Sequence, residues 1–78
     1  MTHMDSLSLR FGRIIRELRL RKCVSQERLA EQASLDRTFV SMIERGRRRP
    51  TLDTAKRLAD ALGSPLSKII AFAEKKKS

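Results

Sequence analysis

Residues 25–46, SQERLAEQASLDRTFVSMIERG, hold the side chains whose types and spacing say most about chemistry. In a helical pattern Arg37, Thr38, Ser41 and Met42 share the outer side, while Val40 and Ile43, three apart, share the inner one. Arginine carries a planar fork of donors that matches paired acceptors such as phosphate oxygens or the O6 and N7 atoms of guanine. Threonine adds one hydroxyl and one methyl group. Gln26 stands at a helix start, where backbone N–H groups favour an anion. Arg45, Arg47, Arg48 and Arg49 then crowd around Gly46 and run up to Pro50. These groups donate hydrogen bonds; they are not arranged to break a covalent bond. With one His, one Cys, no Tyr and no Trp, the chain shows no nucleophile–base pair, Gly-rich phosphate loop or paired carboxylates. An enzyme is not expected. His3 lies in the leading MTHMDS, so neither a metal site nor a cofactor is expected.

Positioning those side chains requires short helices. Residues 1–7 lack periodicity and read as a disordered segment, residues 8–74 as one domain, and residues 75–78 as a basic tail. From about Ser8 to Lys22, Phe11, Ile14, Ile15 and Leu18 recur at i, i+3, i+4 and i+7, with Arg10, Arg13, Arg16, Arg19 and Arg21 on the other faces. Ser25 is an N-cap for a second helix with Leu29, Ala30 and Ala33 inside; Arg28 stands where a capping box needs an acid. Leu35 is the apolar plug of a turn, and Asp36 is the N-cap of a third helix from Arg37 to about Arg45, ended by Gly46. Thr51 caps a fourth helix marked by Leu52, Ala55, Leu58, Ala59 and Leu62 and closed by Gly63. Ser64 and Pro65 open a fifth, with Leu66, Ile69, Ile70 and Ala73 as its stripe. No segment alternates with period two over strand length, so an all-α, five-helix domain is expected.

The chain has 78 residues, room for one domain, and such a domain buries only about 60% of its unfolded surface. Eighteen Lys and Arg against nine Asp and Glu leave a net charge of +9, and twelve of the basic residues are Arg. An excess of this size points to a polyanion, nucleic acid before an anionic membrane. No stretch approaches the roughly 20 apolar residues of a membrane span, and no export signal is present. One cysteine, Cys23, forms no internal disulfide. A cytoplasmic location is expected.

The segment 25–46, followed by IERGRRRPTLDTAKRLADALGSPLSKII, resembles the xenobiotic-response-element family of helix-turn-helix domains, the Cro and CI repressor type. The resemblance covers about residues 9–72 and rests on SQERLA, IERG, the basic loop before Pro50 and LADALG, in that order. LDRTFVSMIERG is most similar to the controller proteins of restriction–modification systems. The resemblance implies a compact lambda-repressor-like domain whose second and third helices read DNA, homodimers on two-fold-related half-sites, and no cofactor. It implies that Arg37, Thr38 and Phe39 form the base-reading start of the third helix. It implies that Gln26, Arg45, Arg47 and Arg48 bind phosphate, and that Arg19 and Glu44 form a structural ion pair. Cys23 and Ser34 stand where the family commonly has Gly, and Phe39 where controllers more often have Tyr. A non-Gly residue in a left-handed backbone costs on the order of 1 kcal/mol.

The expected function is a sequence-specific DNA-binding transcriptional regulator. It binds a two-fold-related double-stranded operator as a homodimer and autoregulates its operon. Repression needs only occlusion; activation needs a surface for RNA polymerase. Base reading falls to Arg37, Thr38, Phe39, Ser41 and Met42. Ile69 and Phe72 on the fifth helix form the expected dimer patch. The alternative is an antitoxin-type protein-interaction module with secondary DNA binding, against which stands the shortness of the chain beyond the fifth helix. A membrane-surface binder needs a wide apolar face open to lipid, and the stripes here are used in one core.

Overall fold

A computed structural model describes residues 6–75 of the chain. The expected five helices are there: α1 (Leu7–Arg21), α2 (Gln26–Ala33), α3 (Arg37–Glu44), α4 (Leu52–Ala61) and α5 (Leu66–Lys75), with no strand among the described residues. α1 packs against α3 and α5, α2 against α3 and α4, and α4 against α5. Phe11, Ile15, Leu29, Val40, Ile43, Leu58, Leu62 and Ile69 make the centre of one core, and Leu35 plugs its edge.

Local chemistry sets the ends of the helices. Ser6, Ser25 and Thr51 each accept a hydrogen bond from the backbone N–H three residues on, that of Leu9, Arg28 and Thr54. α1 therefore begins at Leu7, inside the segment expected to be disordered; residues 1–5, with His3, lie outside the described residues, as do 76–78 of the basic tail. Asp36 holds the N-cap position of α3, but its side chain makes no cap hydrogen bond, so that start relies on packing. The Pro65 carbonyl accepts from the N–H groups of Lys68 and Ile69, which puts Pro65 just before α5 rather than in its first turn.

One closing motif is used four times. Cys23, Ser34, Gly46 and Gly63 all have positive φ, between 57° and 75°. Behind each, the next N–H reaches back five residues: Val24 to Arg19, Leu35 to Ala30, Arg47 to Met42 and Ser64 to Ala59. This is the Schellman ending, which satisfies carbonyls the helix leaves open. Cys23 and Ser34 bear the left-handed strain that their side chains imply.

One stripe position and one dimer-patch position turn out otherwise than expected. Leu52, the first residue of α4, is 79% exposed, because the helix's inner face starts only at Ala55. Ile69 is 2% exposed and belongs to the core, whereas Ile70 is half-buried and Phe72 is 52% exposed. Ile69 is thus withdrawn as a dimer contact: α1 and α4 of its own chain cover it.

Gly12 sets the closest approach in the fold. It lies in mid-α1, and a Cβ there would collide with the carbonyl oxygen of Ile43 in α3. Gly12→Ala should therefore cost up to about 2 kcal/mol net. Overpacking of about 1–3 kcal/mol outweighs the roughly 1 kcal/mol that alanine gains in helix propensity. Ser34→Gly should instead stabilise by about 0.5–1 kcal/mol, as relief of left-handed strain exceeds the added entropy of the unfolded chain. Urea unfolding of both variants checks the signs; a stabilised Gly12→Ala would mean that α1 does not rest on the α3 backbone.

Candidate nucleic-acid interface

α3 is amphipathic: Val40 and Ile43 are fully buried, and Arg37 and Thr38 at its start are exposed. Its inner end is held by charge. Glu44 is 4% exposed and receives two bonds from the buried Arg19 guanidinium, Nε to Oε2 at 2.7 Å and Nη2 to Oε1 at 3.0 Å. Arg19 Nη1 also donates to the Val24 carbonyl at 2.8 Å, so the fork is largely satisfied without water. Gln26 completes the cluster, its Nε2 donating to Glu44 Oε1 at 3.0 Å. One carboxylate therefore ties the end of α1, the start of α2 and the end of α3 together. The pairing of Arg19 with Glu44 is the one the family resemblance implies. The Gln26 bond carried no signal in the sequence, because its partners lie eighteen positions apart and share no motif.

That bond bears on Gln26 as an anion anchor. One amide hydrogen is committed to Glu44 and the Arg28 N–H to the Ser25 cap, which leaves the second amide hydrogen and the N–H groups of Gln26 and Glu27 without a partner inside the helix. Beside it, Arg37, Arg19, Ser25 and Glu27 line an open hollow between the starts of α2 and α3. The Arg37 side chain makes no hydrogen bond or ion pair among the described residues, so it neither bridges to Asp36 nor caps its own helix. Ser41 and Met42 are half-buried, one turn along from Arg37 and Thr38.

Phe39 sits differently. It is half-buried and packs on the core, and the Arg48 guanidinium carbon lies 5.3 Å from its ring centroid. The ring is a platform under a cation, which ties the loop after α3 to the helix. Arg45, Arg47 and Arg49 are exposed, and the Arg47 N–H bonded to the Met42 carbonyl at 2.8 Å folds the loop back along α3. Gln26, Arg37, Thr38, Ser41, Met42 and the loop arginines thus gather around α3 and the starts of the elements beside it. Phe72 is apart from them on α5, which packs on α1 and α4.

Comparison with known proteins bears on this arrangement. A family model described as helix-turn-helix matches residues 15–69. The control protein C.BamHI of Bacillus amyloliquefaciens is 39% identical over 69 residues, covering 87% of this chain and 85% of its own length. The crystal structure of the restriction–modification controller C.AhdI of Aeromonas hydrophila superposes with a TM-score of 0.76 at 41% identity, over 78% of this chain and 92% of the other. A tyrosine-to-phenylalanine mutant of the controller C.Esp1396I, bound to its highest affinity operator site OM, gives a TM-score of 0.80 at 32% identity, over 88% and 91% of the two chains.

The buried carboxylate is the test of how the surface is held. Glu44→Ala leaves Arg19 buried without its partner and should cost about 3–5 kcal/mol in urea unfolding. A loss below about 1 kcal/mol would show that α3 is held by its apolar face alone.

Proposed function

The chain belongs to the helix-turn-helix family in its Cro and CI, xenobiotic-response-element branch, among relatives of the restriction–modification controller type, and on that premise we propose that it binds a two-fold-related operator as a homodimer and autoregulates its own operon. It is a DNA-binding transcriptional regulator of that type. The observation that carries the finer reading is Arg37, an exposed and unpaired guanidinium at the start of a helix whose other end is clamped by a buried ion pair. A helix start of this kind enters the major groove. In this reading Arg37 takes both acceptors of a guanine, Thr38 bonds a base or touches a thymine methyl, and Ser41 and Met42 follow one turn deeper. Phe39 acts at the edge of the groove through the Arg48 it carries. Gln26, Arg45, Arg47 and Arg48 hold phosphates, which position the domain without reading sequence.

Dimerisation is assigned to α5. The exposed Phe72 borders a groove of about 370 Å³ between α1 and α5, walled by Ile14, Leu18 and Pro65 and rimmed by Glu17, Arg21 and Lys68. A two-fold axis through this edge lets each Phe72 enter the other protomer's groove, with Glu17 facing basic side chains across the axis. On a two-fold operator the half-sites that two α3 helices would read lie roughly 34–36 Å apart, one turn of DNA. Repression follows by occlusion; activation adds contact with RNA polymerase. No helix among the described residues is long and apolar enough to cross a membrane.

Selection of binding sites from random duplexes, followed by affinity measurement across a salt series, tests the proposal. The expected winner is two-fold symmetric and bound at least about 10³-fold tighter than scrambled DNA; a steep salt dependence without sequence preference overturns operator reading. On that operator Arg37→Ala should cost about 1–3 kcal/mol and relax discrimination at one base pair per half-site, while Arg47→Ala weakens all sequences alike and lowers the salt slope by about one. Phe72→Asp should sediment as a monomer; a persisting dimer puts the interface elsewhere.

A further inference from the structure

Four of the twelve arginines have internal work. Arg19 pairs with Glu44, Arg10 Nε donates to the Ala73 carbonyl at 2.6 Å, Arg48 lies over Phe39, and Arg57 reaches the Ser34 carbonyl at 3.5 Å. Among the others, Arg13 and Arg16 on α1 have no assigned task. Both are exposed, and neither makes an ion pair among the described residues.

Their place follows from the contacts of their neighbours. Gly12 lies on the Ile43 carbonyl and the Glu44 Cα, and the Leu9 side chain fills the space where a Cβ on Gly46 would be. Arg13 is one turn on from Leu9, and Arg16 is one turn on from Gly12, so both continue the side of α1 that meets the end of α3. That side borders the loop holding Arg45, Arg47 and Arg49. The result is one band of arginine running from α1 across the end of α3. The acids nearby do not neutralise it: Glu44 is buried and used by Arg19, and Glu17 lines the groove against α5. Clustered like charges on so small a body repel one another, and a polyanion relieves the repulsion.

We propose that Arg13 and Arg16 grip duplex phosphates flanking the half-site that α3 reads, extending the footprint along the DNA backbone. This rests on the operator reading above. When the start of α3 points into the groove, its far end and the following loop lie at the backbone, and the α1 strip lies one helix further out. Arginine at such a strip contacts phosphates and no bases, so it adds affinity without adding discrimination.

The test compares the parent with Arg13→Gln combined with Arg16→Gln on the selected operator, flanked by about one further helical turn of duplex on each side. At about 0.9 per phosphate, loss of two contacts per protomer lowers the salt slope by about 1.8 for each bound protomer. Between 50 and 200 mM salt each parent protomer should then lose about 12-fold more affinity than its variant counterpart. The loss should be equal on scrambled DNA and should vanish on a duplex trimmed to the outermost base pairs read. Urea unfolding and sedimentation should match the parent, since both side chains are exposed. An unchanged slope overturns the proposal, as does a drop that persists on the trimmed duplex. So does an equal drop from a charge-matched control on exposed lysines at the ends of α1 and α5, Lys22→Gln with Lys75→Gln. A parent that binds no duplex overturns the operator reading itself, which is a different result from a parent that binds and a variant that matches it.

Discussion

Burying a carboxylate and a guanidinium together is an expensive way to join two helices. The desolvation of both charges offsets most of their attraction, so a pair such as Arg19 and Glu44 adds little stability over well-packed apolar side chains. What it adds is geometry. Glu44 accepts from Arg19 through both oxygens and from Gln26 through one, and Arg19 spends its remaining reach on the Val24 carbonyl. Three helix ends can satisfy these bonds only in one mutual arrangement. Gly12 makes that arrangement possible, because α1 must lie on the α3 backbone for Arg19 to reach Glu44. The start of α3 is thereby aimed by contacts made at its opposite end.

The elements were legible where local rules decide them. The stripe of α1, the caps at Ser25 and Thr51 and the glycines at 46 and 63 all report on neighbours within one turn, and the structure agrees with them. Failures cluster where a residue's fate depends on a distant element. Ile69 and Ile70 are adjacent and alike, and only the positions of α1 and α4 decide which is inside. Leu52 fits the α4 stripe by spacing, yet no other element reaches the first turn to cover it. Gly12 reads as a weak spot in a helix until the backbone that crosses it is known. Of the candidate interface, the exposure of Arg37 and Thr38 was readable from Val40 and Ile43; the bond from Gln26 to Glu44 and the seating of Arg48 on Phe39 were not.

The closures of the helices show what a chain this small gives up. Four Schellman endings let five helices turn tightly enough to share one core. Two of them use Cys23 and Ser34 where glycine fits without strain, so about 1 kcal/mol is lost at each from a domain whose margin is narrow. Cys23 is exposed, and its position suffices to explain it: it ends α1 in the left-handed conformation and has no partner thiol.

Charge and packing pull this molecule in opposite directions, and the arrangement of its arginines reconciles them. A net charge of +9 on a body with an 11.4 Å radius of gyration opposes compaction, so arginine is stabilising only where it has a partner. Inside the fold the partners are a carboxylate, backbone carbonyls and an aromatic face, and each of them also fixes a junction: α1 to α3, α1 to α5, α4 to the turn after α2, and the loop to α3. The arginines without internal partners include Arg37 at the tip of α3 and those that run from the loop onto α1. Asp36 and Glu27 stand near Arg37 without pairing to it, and beside the strip on α1 the acids are Glu44, already buried, and Glu17, turned toward α5. Repulsion left standing on one surface of an otherwise well-satisfied fold is relieved when that surface meets phosphate. In the operator complex proposed above, the same charge that opposes compaction of the isolated domain favours DNA, and each arginine set on a phosphate steepens the salt dependence.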